Sequence, residues 1–198
     1  MGYSKYKQLR TVTKKFGLDA QKLTLFANIK PVEPSPWLIE TLQKTSFLPL
    51  QNEKTKSERI VSPILVELAE FYQDSITLFS GENLEVRPEE DLSGECDFFF
   101  ILAARKPYLE SPIISITEAK DEDMDWGIAQ CAAQIYGAKL FNEMEGKNFP
   151  ILYGCSTDGV EWQFIKFKDN IFYLESKIYT DLREILGVWH AILDSYLC

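Results

Sequence analysis

Asp97, Glu118 and Lys120 are the residues of this 198-residue chain whose types and spacing together suit a chemical step. Residues 96–103 and 113–120 are two nearly continuous apolar runs, built around Phe98-Phe99-Phe100-Ile101-Leu102 and Ile113-Ile114-Ser115-Ile116. Each reads as a strand of a sheet covered on both faces. Folded as an antiparallel hairpin with its loop at residues 105–110, they set Asp97 opposite Glu118. Lys120, two residues further, shares a face with Glu118 by the period-two rule of strands. Two carboxylates and an ammonium then gather at one end of otherwise apolar strands, where buried charge is costly without a counter-charge. A hard divalent cation, Mg2+ or Mn2+, supplies it through oxygen ligands alone: one or two carboxylates, water and substrate phosphate. Such an ion lowers the pKa of bound water and neutralises charge at a phosphodiester, while Lys120 positions the water or stabilises the transition state. From spacing alone, a strand end whose charges simply reach solvent is the equal alternative.

Other chemistries have less to work with. His190 is the one histidine, so a Ser-His-Asp or Cys-His triad, or a histidine-rich zinc site, would have to be built on it. Beside Trp189 in an apolar segment, it reads as structural. Cys96, Cys131, Cys155 and Cys198 form no C-x-x-C pair, unlike zinc or disulfide frameworks, and read as small reduced hydrophobes. The net charge of −9 argues against a wholly basic coat for nucleic acid or anionic lipid. Charge is unevenly spread, however. Lys5, Lys7, Arg10, Lys14, Lys15, Lys22 and Lys30 face only Asp19 in the first thirty residues. That basic arm can contact phosphates or can offset the acidic remainder. Aromatic content of 13% speaks against disorder. No apolar run suits a membrane span and the charged first ten residues do not suit a signal peptide, so a cytoplasmic, unprocessed protein is expected.

The elements that must position the trio follow from pattern. Residues 1–50 read as a basic, partly helical extension, with prolines at 31, 34, 36 and 49 around a short helix at residues 37–45. The expected second unit is residues 51–198. Thr55-Lys56-Ser57-Glu58 has the form of a capping box, and Ile60, Ile64, Leu65, Leu68 and Phe71 recur at helical spacing, with Pro63 bending the helix or restarting it at Ser62. Residues 75–80 and 84–87 read as strands about a turn at Gly81-Glu82-Asn83. Residues 125–145 form a helix whose small residues permit close approach to a sheet. Strands at 149–156, 160–167 and 171–175 follow, the first two joined at Thr157-Asp158-Gly159, and a closing helix at 181–196. The order predicts an α/β (α+β) fold with a mixed β-sheet flanked by helices.

Asp97, a gap of apolar strand, then Glu118-Ala119-Lys120 resembles the D-x(n)-E-x-K signature of the PD-(D/E)XK nuclease superfamily. Glu58-Arg59-Ile60-Val61-Ser62-Pro63-Ile64-Leu65 and Thr157-Asp158-Gly159-Val160-Glu161-Trp162 resemble segments of the nuclease domain that opens type I restriction subunits. The likeness covers roughly residues 55–168 and implies a restriction endonuclease-like core. It implies that Asp97 and Glu118 are metal ligands and Lys120 the catalytic lysine. A glutamate of the first helix completes such sites; Glu58 is the first choice and Glu67 the alternative, on opposite faces of a straight helix. Gln130 resembles the glutamine that follows E-x-K in several branches, with Gln134 the runner-up. Cys96 replaces the signature proline, and no tyrosine lies four residues after Gln130, which leaves the branch open. The resemblance implies a Mg2+- or Mn2+-dependent endonuclease acting on nucleic acid, DNA first. Lys139, Lys147, Lys166, Lys168 and the basic arm are expected backbone contacts, and homodimerisation would let two sites cut two strands. A catalytically silent accessory or interaction module with the same fold is the alternative, favoured by the acidic balance after residue 30. A small-molecule hydrolase has no supporting motif.

Overall fold

The apolar runs assemble into one seven-stranded sheet in the computed structural model of the chain, which describes residues 2–120 and 123–197. Its strands are β1 (Asp19–Leu23), β2 (Thr77–Asn83), β3 (Glu95–Ile101), β4 (Ile113–Ala119), β5 (Ile151–Thr157), β6 (Trp162–Lys168) and β7 (Ile171–Glu175). They lie in the order β1-β7-β6-β5-β4-β3-β2. The β1/β7 and β4/β5 pairs are parallel and the others antiparallel, so the sheet is mixed. Helices α1 (Leu9–Phe16), α2 (Pro36–Thr45), α3 (Glu53–Lys56), α4 (Ser62–Phe71), α5 (Met124–Met144) and α6 (Leu182–Asp194) flank it. The fold is α+β and consistent with a restriction endonuclease-like core.

Both faces of the central strands are buried, which is why their sequences are continuous rather than alternating. Phe99 and Ile101 face a core shared with Val12 of α1 and Ile128, Ala132 and Ile135 of α5. Phe98 and Phe100 face the other core, with Leu38 of α2, Leu65 and Leu68 of α4, and Trp189 of α6. Every residue of β4 is buried. The β3/β4 register pairs Phe98 with Thr117 and Phe99 with Ile116, and one step further it sets Asp97 across from Glu118. The bulge between Phe100 and Ile101 lies at the far end of the pair, away from these carboxylates.

Small residues on α5 decide how closely it seats. A Cβ at Gly127 would lie 2.0 Å from Ser156 Oγ on β5, so only glycine lets the helix start hard against the sheet. At Gly137 the neighbour is instead Tyr3, whose hydroxyl would stand 2.3 Å from an added Cβ. The first fifty residues are interleaved with the rest of the fold. The Tyr3 amide donates to the Ser93 carbonyl, and β1 extends the sheet beside β7.

Two local expectations differ from the structure. Residues 84–87 are not a strand: β2 runs on through Gly81, whose φ is 68°, because Ser80 and Glu82 keep pairing with Phe98 and Cys96. The ladder to β3 outweighs the local turn preference, and the chain returns through a loop pinned by buried Leu84 and Leu92. The capping box sits three residues early. The Asn52 side chain accepts from the Thr55 amide and Thr55 Oγ1 accepts from the Asn52 amide, so Glu58 is left free of a capping role. Between α3 and α4 the helix widens to a π-turn at Ser57–Val61, just ahead of Pro63, where the absent amide and the ring disfavour an ordinary α-turn. His190 accepts or donates at 2.7 Å to the Tyr72 hydroxyl and packs edge-on to Phe71, a structural setting. Cys96, Cys131 and Cys155 are free and buried, while Cys198 lies outside the described residues. Among the described residues no helix is long and apolar enough to cross a membrane.

Tyr3→Ala tests whether the amino-terminal segment is part of the folding unit. Emptying the buried site against Gly137 costs about 3–5 kcal/mol by analogy with Phe→Ala core truncations. The melting temperature therefore falls by at least about 6 °C. An unchanged melt would show residues 1–50 to be a detachable appendage.

Candidate active site

The ends of β3 and β4 and the start of α5 bring the charged groups together. Lys120 leaves β4 still hydrogen-bonded to β5, its amide donating to the Thr157 carbonyl at 2.8 Å. Asp97 Oδ2 accepts from the Ala119 amide at 2.7 Å, which ties β3's carboxylate to the backbone between Glu118 and Lys120. Glu118 is 1% exposed. Its Oε1 stands 3.2 Å from Lys120 Nζ, and its Oε2 accepts from Gln134 Nε2 at 2.8 Å. Lys120 Nζ lies 3.4 Å from Glu53 Oε1 and 5.5 Å from the centre of the Trp126 ring.

The electrostatics are short of positive charge. Burial pushes the Asp97 carboxyl up to about 6; the Ala119 amide works against this, and Glu53 adds to it. Burial, then Asp97, push Glu118 up to about 8, against the pull of Lys120 and Gln134. Burial disfavours the Lys120 ammonium, but Glu118 and Glu53 outweigh it and its pKa rises. The buried Glu118 and the half-buried Asp97 thus share one ammonium. The oxygen-only donor set of Asp97 and Glu118 suits a hard cation that completes its shell with water and phosphate oxygens. Among the described residues no three acidic, histidine or cysteine side chains converge to hold an ion by themselves.

A cleft of about 390 Å³ opens onto Asp97, lined among others by Glu53, Glu58, Ser62, Gly81 and Glu95. Gly81 stands beside Asp97 across the β2/β3 ladder, and its missing side chain keeps the mouth open. Glu58, on the π-turn, lines this cleft, its carboxylate 3.9 Å from Lys54 Nζ. Glu67 lies elsewhere, accepting from the Ser35 amide at 2.8 Å and the Ser35 hydroxyl at 2.5 Å at the start of α2. Gln134 reaches Glu118, while Gln130, one turn earlier, faces a separate depression with Tyr3 and Ser4. Glu53 and Glu95 were not anticipated. Glu95 carries a signal, being two residues before Asp97 on the same strand; Glu53 carries none, since a pattern-derived helix start at Thr55 leaves it in the preceding loop. Of the basic arm, Lys5 and Lys15 pair with Asp91, and Lys7 Nζ lies 4.7 Å from the Trp126 ring centre.

No protein-family model matches the chain. Part of it resembles an effector protein. Over 154 residues it is 28% identical to Crinkler effector protein 1 of Rhizophagus irregularis, an alignment covering 70% of this chain. The chain spans about 30% of the length of that curated relative.

The raised carboxyl of Glu118 gives a signed pH dependence. Its folded value of about 8 exceeds the ordinary 4.5, so the folded state holds the proton more tightly. Without divalent cation, stability therefore falls as pH rises from 4.5 through 8. In EDTA, Glu118→Gln melts above the wild type at pH 8.5, by about 2–4 °C per kcal/mol relieved, and converges with it near pH 4.5. A difference that does not vary with pH would show that Glu118 is not held in this state.

Proposed function

We propose that the chain is a metal-dependent nuclease that hydrolyses DNA phosphodiester bonds. The observation that carries this reading is the convergence of Asp97, Glu118 and Lys120 at adjacent strand ends, with Asp97 lining an open cleft. Asp97 and Glu118 would hold Mg2+ or Mn2+. When bound, the ion would supply Lewis-acid stabilisation at the phosphate and a more acidic water. Lys120, placed by Glu118 and Glu53, orients the attacking water or offsets negative charge on the phosphoryl oxygens. Gln134 steadies Glu118 by donating to its second oxygen. Glu53 and Glu58 line the approach from the first helix, and Gln130 lies outside the cluster's hydrogen bonds, on its flank. The similarity to an effector protein adds the proposal that this chemistry serves an effector role, and a homodimer would supply two sites for two strands.

The second reading, a catalytically silent module of the same fold, is favoured by two observations. Lys120 and Gln134 already engage both oxygens of Glu118, and the net charge of −9 repels a duplex over most of the surface.

Cleavage of linear, supercoiled and branched DNA with Mg2+ or Mn2+ separates the two. The nuclease reading expects EDTA-sensitive cutting that falls about 100-fold or more in Asp97→Ala and in Lys120→Ala. It also expects a cation-dependent rise in melting temperature that Asp97→Ala abolishes. Cutting that survives both substitutions, or no melting shift in the wild type, favours the silent module.

A further inference from the structure

Trp126, Gln130 and Gln134 follow one another at four-residue intervals along α5, so they form a single stripe on that helix. Gln134 Nε2 donates to Glu118, yet each of the three residues leaves a buried polar atom without a partner. Gln130 is 6% exposed, and its Oε1 makes no hydrogen bond; Trp126 Nε1 is likewise buried and unpartnered. Such atoms carry a desolvation cost until something meets them. Gln130 lines a depression of about 280 Å³ together with Tyr3, Ser4, Ser93 and Gly94. Glu95 borders both this depression and the cleft over Asp97, so the two are neighbours. One helical turn away, Lys7 and Lys120 each place an ammonium by the Trp126 ring.

We propose that this depression receives an unpaired nucleobase of the strand whose backbone lies in the adjoining cleft, which makes the substrate single-stranded or locally opened nucleic acid. The inference rests on the nuclease reading for the neighbouring phosphate. A primary amide offers a donor and an acceptor to the edge of a base, which in a duplex is occupied by its complement. Trp126 lies one turn away on the same stripe, outside the depression's lining, and the Lys7 and Lys120 ammonium groups at its ring suit the flanking phosphates.

The test measures binding of the full chain, with Ca2+ in place of Mg2+, to a short DNA single strand, the matching duplex, the same strand made abasic, and dAMP. The proposal expects the single strand to bind at least about tenfold tighter than duplex or abasic strand. Gln130→Leu should bring the single strand to the abasic level while keeping or raising the melting temperature, since the amide it removes is unpaired. Ser4→Leu, at the exposed rim, should do the same by filling the mouth, and decides the matter if Gln130→Leu fails to fold. Equal binding of all strands, or a preference that persists in folded variants, overturns the proposal. So does dAMP binding as tightly as the strand, which would assign the pocket to a free nucleotide. A Gln130-dependent preference without Mg2+-dependent cleavage keeps the pocket and removes the nuclease reading. Cleavage indifferent to strandedness and to Gln130 does the reverse.

Discussion

Glu118 is a carboxylate placed where the sheet has no room for an unpaired charge. Because β4 is buried on both faces, its last turn of the ladder cannot vent this side chain to solvent, and the surroundings are arranged accordingly. Lys120 folds back to one oxygen and Gln134 reaches from α5 to the other. Gln134 can do so only because α5 starts close to β5, and Gly127 permits that approach by leaving space for Ser156. Packing and electrostatics are therefore one problem at this point: the seat of a helix decides whether a buried acid has a partner. Asp97 compounds the difficulty, since it lies across the same ladder and raises the cost of ionising Glu118.

A protein selected for stability alone would place an apolar residue there, because replacing a buried ion pair with well-packed hydrophobes is often neutral or stabilising. Under the proposed reading, keeping two acids and one lysine at this strand end makes sense because positive charge would arrive from outside. The acidic cleft suits this. Glu53, Glu58 and Glu95 beside Asp97 would draw a cation and repel a bare phosphate, so under the proposed nuclease reading a phosphodiester would enter only once the local charge is balanced. The basic arm is correspondingly restrained: Lys5 and Lys15 are tied to Asp91, while Lys7 rests at Trp126 beside the site.

The strands that carry the trio were legible from sequence because both of their faces are buried, and a long apolar run leaves few alternatives for pairing or register. Residues 96–103 and 113–120 correspond to β3 and β4 within two residues at each end. β1 was not legible: all five of its residues are exposed, so Asp19-Ala20-Gln21-Lys22-Leu23 carries no alternation, and its place is set by pairing with β7. α1 was hidden for a related reason, since lysines and one arginine dominate it and Val12 is its one fully buried residue. The first helix was recognisable by its apolar spacing, but not its start. Asn52 rather than Thr55 leads the cap, and that shift of three residues turns Glu53 from loop into a helical carboxylate within reach of Lys120.

The π-turn explains why helix geometry alone could not choose among the glutamates. On a regular helix each residue advances 100°, so a single straight axis fixes which acids share a face. At Ser57–Val61 the turn is wider, and α4 resumes with a different phase from α3. Glu53 and Glu58 lie on or before this widening and both border the cleft, while Glu67 lies beyond it and is spent on the Ser35 end of α2. Pro63 thus acts at a distance from the chemistry: by disfavouring an α-turn ahead of it, it separates the part of the helix that serves the site from the part that packs the core. Ile64, Leu65 and Leu68 follow at once on the core side, so one continuous stretch of helix meets two different demands without either face compromising the other.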